Sequence, residues 1–221
     1  MRYIVTGASR GIGAEIVKCL ARDGHEVLAI SRQTQKESID GVKHIVFNMD
    51  SDQAPIHDLI ALLGNEPIDG VVMNAGVLIN KAFESSSTQD IHELFQVNVF
   101  APMAFLRQLK PLLKPQAHII LIGSMGGVQG SAKFPGLAWY SATKGALAIL
   151  TECLAEEWKE IPIYVNCLAL GAVQTEMFES AFPGFQAPVT PPEMGSFIAD
   201  FLQKGQAFFN GKILPVSVST P

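Results

Sequence analysis

The sequence predicts an α/β fold: a doubly wound parallel sheet in a single domain spanning residues 1–221. Three observations carry this. Short β-rich runs alternate with helical patterns along the whole chain, the order that gives a parallel sheet with helical crossovers. The β-rich runs are apolar almost throughout rather than at every second position, as strands covered on both faces must be. A glycine-rich turn directly follows the first of them.

The elements follow in order. "RYIV" (2–5) is a strand, and "GAEIVKCLARDG" (13–24) is a helix that Gly24 stops. "EVLAI" (26–30) and "HIVF" (44–47) are the second and third strands. Asp52 to Leu63 has helical periodicity, and "IDGVVM" (68–73) is the fourth strand. Thr88 to Leu113 is expected to be one long helix, with Pro111 and Pro115 marking its end. "AHIILIG" (117–123) is a core strand, Trp139 to Trp158 a helix, and "IYVNCLA" (163–169) the sixth strand. Pro191 to Lys204 is a helix with proline at its start, and "KILPV" (212–216) is a last strand. No low-complexity linker divides the chain. Residues 179–192, with four prolines, are expected to form a short substrate loop.

Composition narrows the function. Hydrophobic residues make up 48% and charged residues 17% of the 221 positions, which leaves ample core and some apolar surface for a subunit contact. The net charge is −5 and there is no basic run, so no nucleic-acid footprint is expected. No apolar stretch approaches the roughly 18 residues of a membrane span. "MRYIVTGAS" has one Arg before a strand-like run, so no signal peptide is expected. Cys19, Cys153 and Cys167 are odd in number and apolar in setting, which points to buried free thiols in the reducing cytoplasm. The five histidines show no metal-ligand spacing, and no metal is expected.

"TGASRGIG" (6–13) stands between the first strand and the first helix, the context that gives a glycine pattern weight. Glycine lets backbone come close to a ligand, and a helix start offers free N–H groups to a pyrophosphate. Gly7, Ser9, Arg10, Gly11, Ile12 and Gly13 are the candidate contacts, in a spacing that differs from G-x-G-x-x-G. The frame is then Rossmann-type. A carboxylate after the second strand would suit the ribose of NAD, and an arginine suits the 2′-phosphate of NADP. Here Ser31 and Arg32 stand there, with no acid before Glu37, and Arg10 adds a second cation. NADP(H) is the expected cofactor, with NAD less favoured.

Tyr140 and Lys144 lie four residues apart, about one helical turn, and are therefore neighbours. An unperturbed Tyr, with a pKa near ~10, is a poor base at neutral pH. A nearby ammonium favours the phenolate, so the pair is expected to make a proton donor and acceptor usable near neutrality. "IILIGSMGG" places Ser124 just past a core strand, where open α/β sheets bind ligands. "VVMNAGV" puts Asn74, Ala75 and Gly76 at the end of another. Asn98 sits inside the apolar helix "FQVNVFAP", either for function or as a satisfied buried amide.

In order along the chain, "TGASRGIG", "NAG", "NVFAP", Ser124, "YSATKGAL" and "LGAVQTEM" resemble the motifs of the short-chain dehydrogenase/reductase family. The match is close over residues 2–178 and looser at the last strand. The resemblance implies a catalytic tetrad of Asn98, Ser124, Tyr140 and Lys144. Tyr140 would be the acid/base, Ser124 would orient the substrate oxygen, Lys144 would lower the Tyr pKa and bind the nicotinamide ribose, and Asn98 would anchor a relay water. It implies that Asp50 contacts the adenine, and that Gly171, Val173 and Thr175 meet the nicotinamide carboxamide. Three departures stand out. Leu170 precedes Gly171 where the family has proline, the Ser124–Tyr140 gap is longer, and the region after Phe178 is shorter.

The expected activity is hydride transfer between NADP(H) and a small-molecule carbonyl or alcohol. A catalytically silent nucleotide-sensing regulator on the same fold is the alternative; it would be expected to lack the Tyr or the Lys. A pure scaffold gives the glycine turn no purpose. The segments "MGGVQGSAKFPGLAW" and 176–190 suggest a modest, uncharged substrate. The two long helices before and after Ser124 carry apolar residues on more than one face, which predicts a homodimer or homotetramer.

Overall fold

The computed structural model describes residues 1–33, 38–48 and 56–218. Seven parallel strands form one sheet in the order β3-β2-β1-β4-β5-β6-β7. They are β1 (Arg2–Thr6), β2 (Glu26–Ser31), β3 (Val42–Val46), β4 (Ile68–Met73), β5 (Leu113–Ser124), β6 (Tyr164–Leu170) and β7 (Ile213–Val216). The chain winds outward from β1 to β3, then crosses back to place β4 on the other side of β1. That reversal opens a crevice past the ends of β1 and β4, the place where such sheets bind ligands.

Each face of the sheet has its own core, because strand side chains alternate. Tyr3 and Val5 of β1 pack with Ile16, Val17 and Leu20 of α1 (Gly11–Arg22) and Ile198 of α7 (Pro191–Lys204). Between them, Ile4 faces the opposite layer and joins Phe105, Leu106 and Leu147. That layer holds α2 (Ile56–Leu63), α3 (Thr88–Phe95), α4 (Ala101–Leu109) and α5 (Ala138–Glu157). Helix α1 lies so close to α7 that a Cβ on Gly195 would stand 2.5 Å from Glu15 Cβ.

The sheet, its order along the chain and most elements match the expectation, with corrections. The helix expected over Thr88–Leu113 is interrupted: Gln96–Phe100 is a π-helical turn, and Leu113 already belongs to β5. Pro111 cannot continue an α-helix, and a short 3₁₀ turn at Lys110–Leu112 ends it. The register of β5 against β4 slips between Ile68 and Gly70, so residues 113–116 are an irregular lead-in to the core strand. The second-layer helix begins at Ile56 among the described residues; the Asp52 start falls outside them. Residues 179–192 are not all loop, since α6 (Glu176–Ala181) is a short helix capped by the Thr175 hydroxyl, which accepts from the Phe178 N–H at 3.1 Å. Of the three free cysteines only Cys167 is buried; Cys19 is half-buried and Cys153 is exposed. Cys153 shares the outward side of α5 with Ile149, one turn before it.

A buried polar knot locks β5 to the C-terminal elements. His118 is 1% exposed; its Nδ1 lies 3.1 Å from the Leu202 carbonyl, and its Nε2 lies 3.0 Å from Asn166 Nδ2. The arrangement fits a neutral imidazole that donates to Leu202 and accepts from Asn166. Burial pushes His118 down to about 4, against the weaker pull of the Leu202 and Phe201 backbone. The unfolded chain therefore binds a proton near pH 6.5 that the folded chain refuses until about pH 4. Stability is intact above pH 6.5 and falls as the pH drops towards 4. By pH 5 the loss should be roughly 2 kcal/mol, read as a lower urea midpoint. His118→Gln, which cannot titrate, should show a correspondingly flatter profile; equal slopes for both proteins would refute the assignment.

Candidate active site

A cleft of about 910 Å³ runs along the ends of the central strands. Its first wall is the glycine turn between β1 and α1. Gly7 has a φ of +67°, and a Cβ there would stand 2.8 Å from Ala75 Cα. A Cβ on Gly13 would overlap the Gly7 carbonyl oxygen, so only glycine lets α1 start this close to the turn. Helix α1 has no side-chain cap and no acid in its first turn. Its free N–H groups and positive dipole end are left for an anionic ligand, which fits the pyrophosphate of a dinucleotide.

Thr6 and Asn74 hold the turn rigid. The buried Thr6 hydroxyl accepts from the backbone N–H of both Asn74 and Ala75, each at 3.0 Å. The Asn74 amide donates to the carbonyls of Thr6 (3.1 Å) and Gly7 (3.2 Å). Asn74 was expected to touch the cofactor; it lines the cleft, but its amide N–H groups serve the turn.

At the end of β2, Ser31 and Arg32 line the cleft, and the Ser31 hydroxyl donates to the Gln33 carbonyl at 2.6 Å. Phe47 and Asn48 complete this wall; Asp50 lies outside the described residues. Arg10 also lines the cleft, but its guanidinium is paired with the Glu176 carboxylate on the surface. This contact was invisible in the sequence, because the two residues come from the glycine turn and from α6.

Helix α5 carries Tyr140 and Lys144 to the middle of the cleft, opposite Ser124 at the end of β5. Tyr140 is hydrogen-bonded with the Ser124 side chain, and Ser124 Oγ accepts from the Gly126 N–H at 3.2 Å. Lys144 is buried; its Nζ donates to the Ile122 carbonyl at 2.9 Å and lies 5.7 Å from the centre of the Tyr140 ring. The ionisation differs from the expectation. Burial pushes the Tyr140 phenol up to about 12, with the Ser124 hydrogen bond opposing it. Burial likewise draws Lys144 down to about 8, with Cys167 opposing. Desolvation disfavours both charged forms.

Asn98 is 1% exposed and lies in the π-helical turn rather than in the cleft wall. Its amide accepts from the Val77 N–H (2.8 Å) and donates to the Val77 carbonyl (3.0 Å) and to Thr143 Oγ1 (3.0 Å). The Thr143 hydroxyl donates in turn to the Tyr140 carbonyl at 2.7 Å. Asn98 thus ties the loop after β4 to the helix of Tyr140, and both of its amide hydrogens are used. Thr143 escaped the sequence reading, though its place on the Tyr140 side of the helix, three residues on, was there to see.

Gly171, Val173 and Thr175 line the cleft beyond β6. Leu170, in place of proline, extends β6 alongside Val216, and the Gly171 N–H donates to the Val216 carbonyl at 2.9 Å. The Thr175 side chain lies over the glycine turn, 3.5 Å from a Cβ built on Gly11. The two segments expected to suit a modest substrate contribute large side chains to the cleft. Phe134, Phe178, Phe182 and Phe185 all face it.

This fold and site define a nucleotide-binding α/β oxidoreductase. The family model of short chain dehydrogenases matches residues 2–184. The chain belongs to that family, whose cofactor is a nicotinamide dinucleotide. It is similar to a gluconate 5-dehydrogenase of Gluconobacter oxydans, 32% identical over 97% of this chain and 92% of that protein. It is also similar to a short-chain type dehydrogenase/reductase of Sinorhizobium fredii, 34% identical over 80% of this chain and 72% of the other. Among solved structures, a short chain dehydrogenase family protein from Francisella tularensis superposes with a TM-score of 0.88 at 26% identity. That match covers 97% of this chain and 96% of the other.

Proposed function

We propose that the protein transfers hydride between NADP(H) and a carbonyl/alcohol pair, with Tyr140 as the acid/base. The observation that carries this reading is the convergence of Tyr140, Ser124 and Lys144 in a cleft whose other end is the uncapped start of α1. The bound dinucleotide supplies or accepts the hydride. In the reducing direction Ser124 hydrogen-bonds the substrate oxygen, and Tyr140 gives its phenolic proton to that oxygen. A phenol held near 12 is a ready donor of a hydrogen bond and a poor carrier of negative charge. Lys144, beside the ring, stabilises the phenolate that forms, then draws in the replacement proton. Asn98 positions these groups through Val77 and Thr143; a relay water at this point would bind main chain rather than the occupied amide.

The silent-regulator reading gains no support, since Ser124, Tyr140 and Lys144 are all present and line the cleft. Oxidation of NADPH by a panel of carbonyl compounds is the direct test. Binding of NADPH without turnover of any of them would favour the regulator.

We further propose a homo-oligomer. Phe83, Phe100 and Ile149 are exposed on the layer that holds α3, α4 and α5, with Phe83 stacked on Trp139 at 5.1 Å. Light scattering at micromolar concentration should give at least twice the 23.8 kDa chain mass. A monomer would overturn the proposal.

A further inference from the structure

We propose that the substrate end of the cleft takes a neutral aromatic carbonyl compound, and that it discriminates against anionic and polyhydroxylated ones. This rests on the reading that the carbonyl is reduced beside Tyr140. Four phenylalanines line this end. Phe134 comes from the segment before α5, Phe178 from α6, and Phe182 and Phe185 from the turn after it. Phe178 and Phe182 stand 5.2 Å apart with their planes tilted by 39°. Phe185 is 70% and Phe134 55% exposed, so two large apolar faces meet solvent at the mouth. An aromatic guest would cover those faces and find rings at the tilted and edge geometries that aromatic pairs prefer.

Charge argues the same way. Among the described residues lining the cleft, the cations are Arg10, Arg32 and Lys144. Arg10 and Arg32 lie at the dinucleotide end, Arg10 is paired with Glu176, and Lys144 is buried on the Ile122 carbonyl. Away from that pair the cleft wall offers the carboxylate of Glu179 instead. A carboxylate or phosphate on the substrate would meet like charge and no counter-ion. A polyol fares little better. Gln174 donates to Glu179 at 2.8 Å and accepts from the Ala187 N–H at 2.7 Å, so its amide is already engaged and does not replace lost hydration.

The test compares acetophenone, 4-acetylbenzoate, 2-octanone and fructose as substrates of the full chain with saturating reduced cofactor. We expect kcat/KM for acetophenone to exceed that for 4-acetylbenzoate and for fructose by at least about tenfold, and that for 2-octanone by several-fold. Phe134→Ala and Phe185→Ala, at exposed positions that do not endanger the fold, should raise the acetophenone KM about tenfold while leaving the KM for the cofactor unchanged. Equal or better turnover of 4-acetylbenzoate or fructose would overturn the proposal. Preference for 2-octanone would show an apolar but not an aromatic site, and so would also overturn it. Should no ketone be reduced, calorimetric titration of acetophenone and 4-acetylbenzoate into the protein saturated with oxidised cofactor separates the two ideas. Tighter acetophenone binding would uphold the aromatic site while refuting hydride transfer; tighter 4-acetylbenzoate binding, or none by either, would refute the aromatic site.

Discussion

Tyr140→Phe is expected to cut turnover about a thousandfold, roughly 4 kcal/mol of barrier, while leaving cofactor affinity within about twofold. The ring stays, with its packing beside Lys144, and only the ionisable oxygen goes. The lost Ser124 hydrogen bond lies at the half-buried cleft wall, so the fold should barely notice. The size of the effect follows from the environment. Lys144, the other ionisable group beside the ring, is turned onto the Ile122 carbonyl and is not placed to give the proton instead. NADPH fluorescence gives the affinity, and the initial rate with any accepted carbonyl gives the barrier. Retention of more than about a tenth of the rate would remove Tyr140 from the role of acid/base.

The sequence made the sheet legible because buried parallel strands cannot hide their composition. "EVLAI" and "HIILIG" are apolar on both faces, and the glycines between β1 and α1 have one use in that setting. Tyr140 and Lys144 were legible because helical spacing alone makes them neighbours. What escaped was set by contacts between distant segments. The π-helical turn at Gln96–Phe100 leaves no mark in a pattern whose apolar residues fit an α-helix equally well. Helix α6 has six residues, too few for periodicity, and the run of prolines that follows it looked like loop. Arg10 looked free because Glu176, its partner, is 166 residues away. The rise of the Tyr140 pKa was missed for a related reason: spacing reveals the ammonium next door, but not how little water surrounds both groups. Asn98 shows the reverse case. The sequence left open a functional role and a satisfied buried amide, and the hydrogen bonds to Val77 and Thr143 favour the second for its side chain.

Cofactor preference brings the strand end and the arginines together. The protein should bind NADPH at least tenfold more tightly than NADH, about 1.4 kcal/mol. Arg32 and Arg10 both line the cleft beside the glycine turn and the end of β2, and a guanidinium matches a phosphate with a planar fork of donors. Arg10 must exchange Glu176 for the phosphate, and an exposed pair of that kind is worth only about 0–1 kcal/mol, so the exchange costs little. Ser31 is the sensitive position. Its hydroxyl now donates to the Gln33 carbonyl. A carboxylate there cannot donate, is repelled by that carbonyl, and would turn into the cleft. It would then oppose a 2′-phosphate and accept from the ribose hydroxyls of NADH instead. Ser31→Asp should therefore reverse the preference, a swing of about a hundredfold in the affinity ratio, or about 2.7 kcal/mol. Arg32→Ala should weaken NADPH binding and spare NADH, which separates the loss of a cation from the gain of an anion. Fluorescence titration of both reduced cofactors against the three proteins decides it. Equal affinities in the wild type, or tighter NADH binding, would mean that the two arginines serve only the surface and that Ser31 sets no preference.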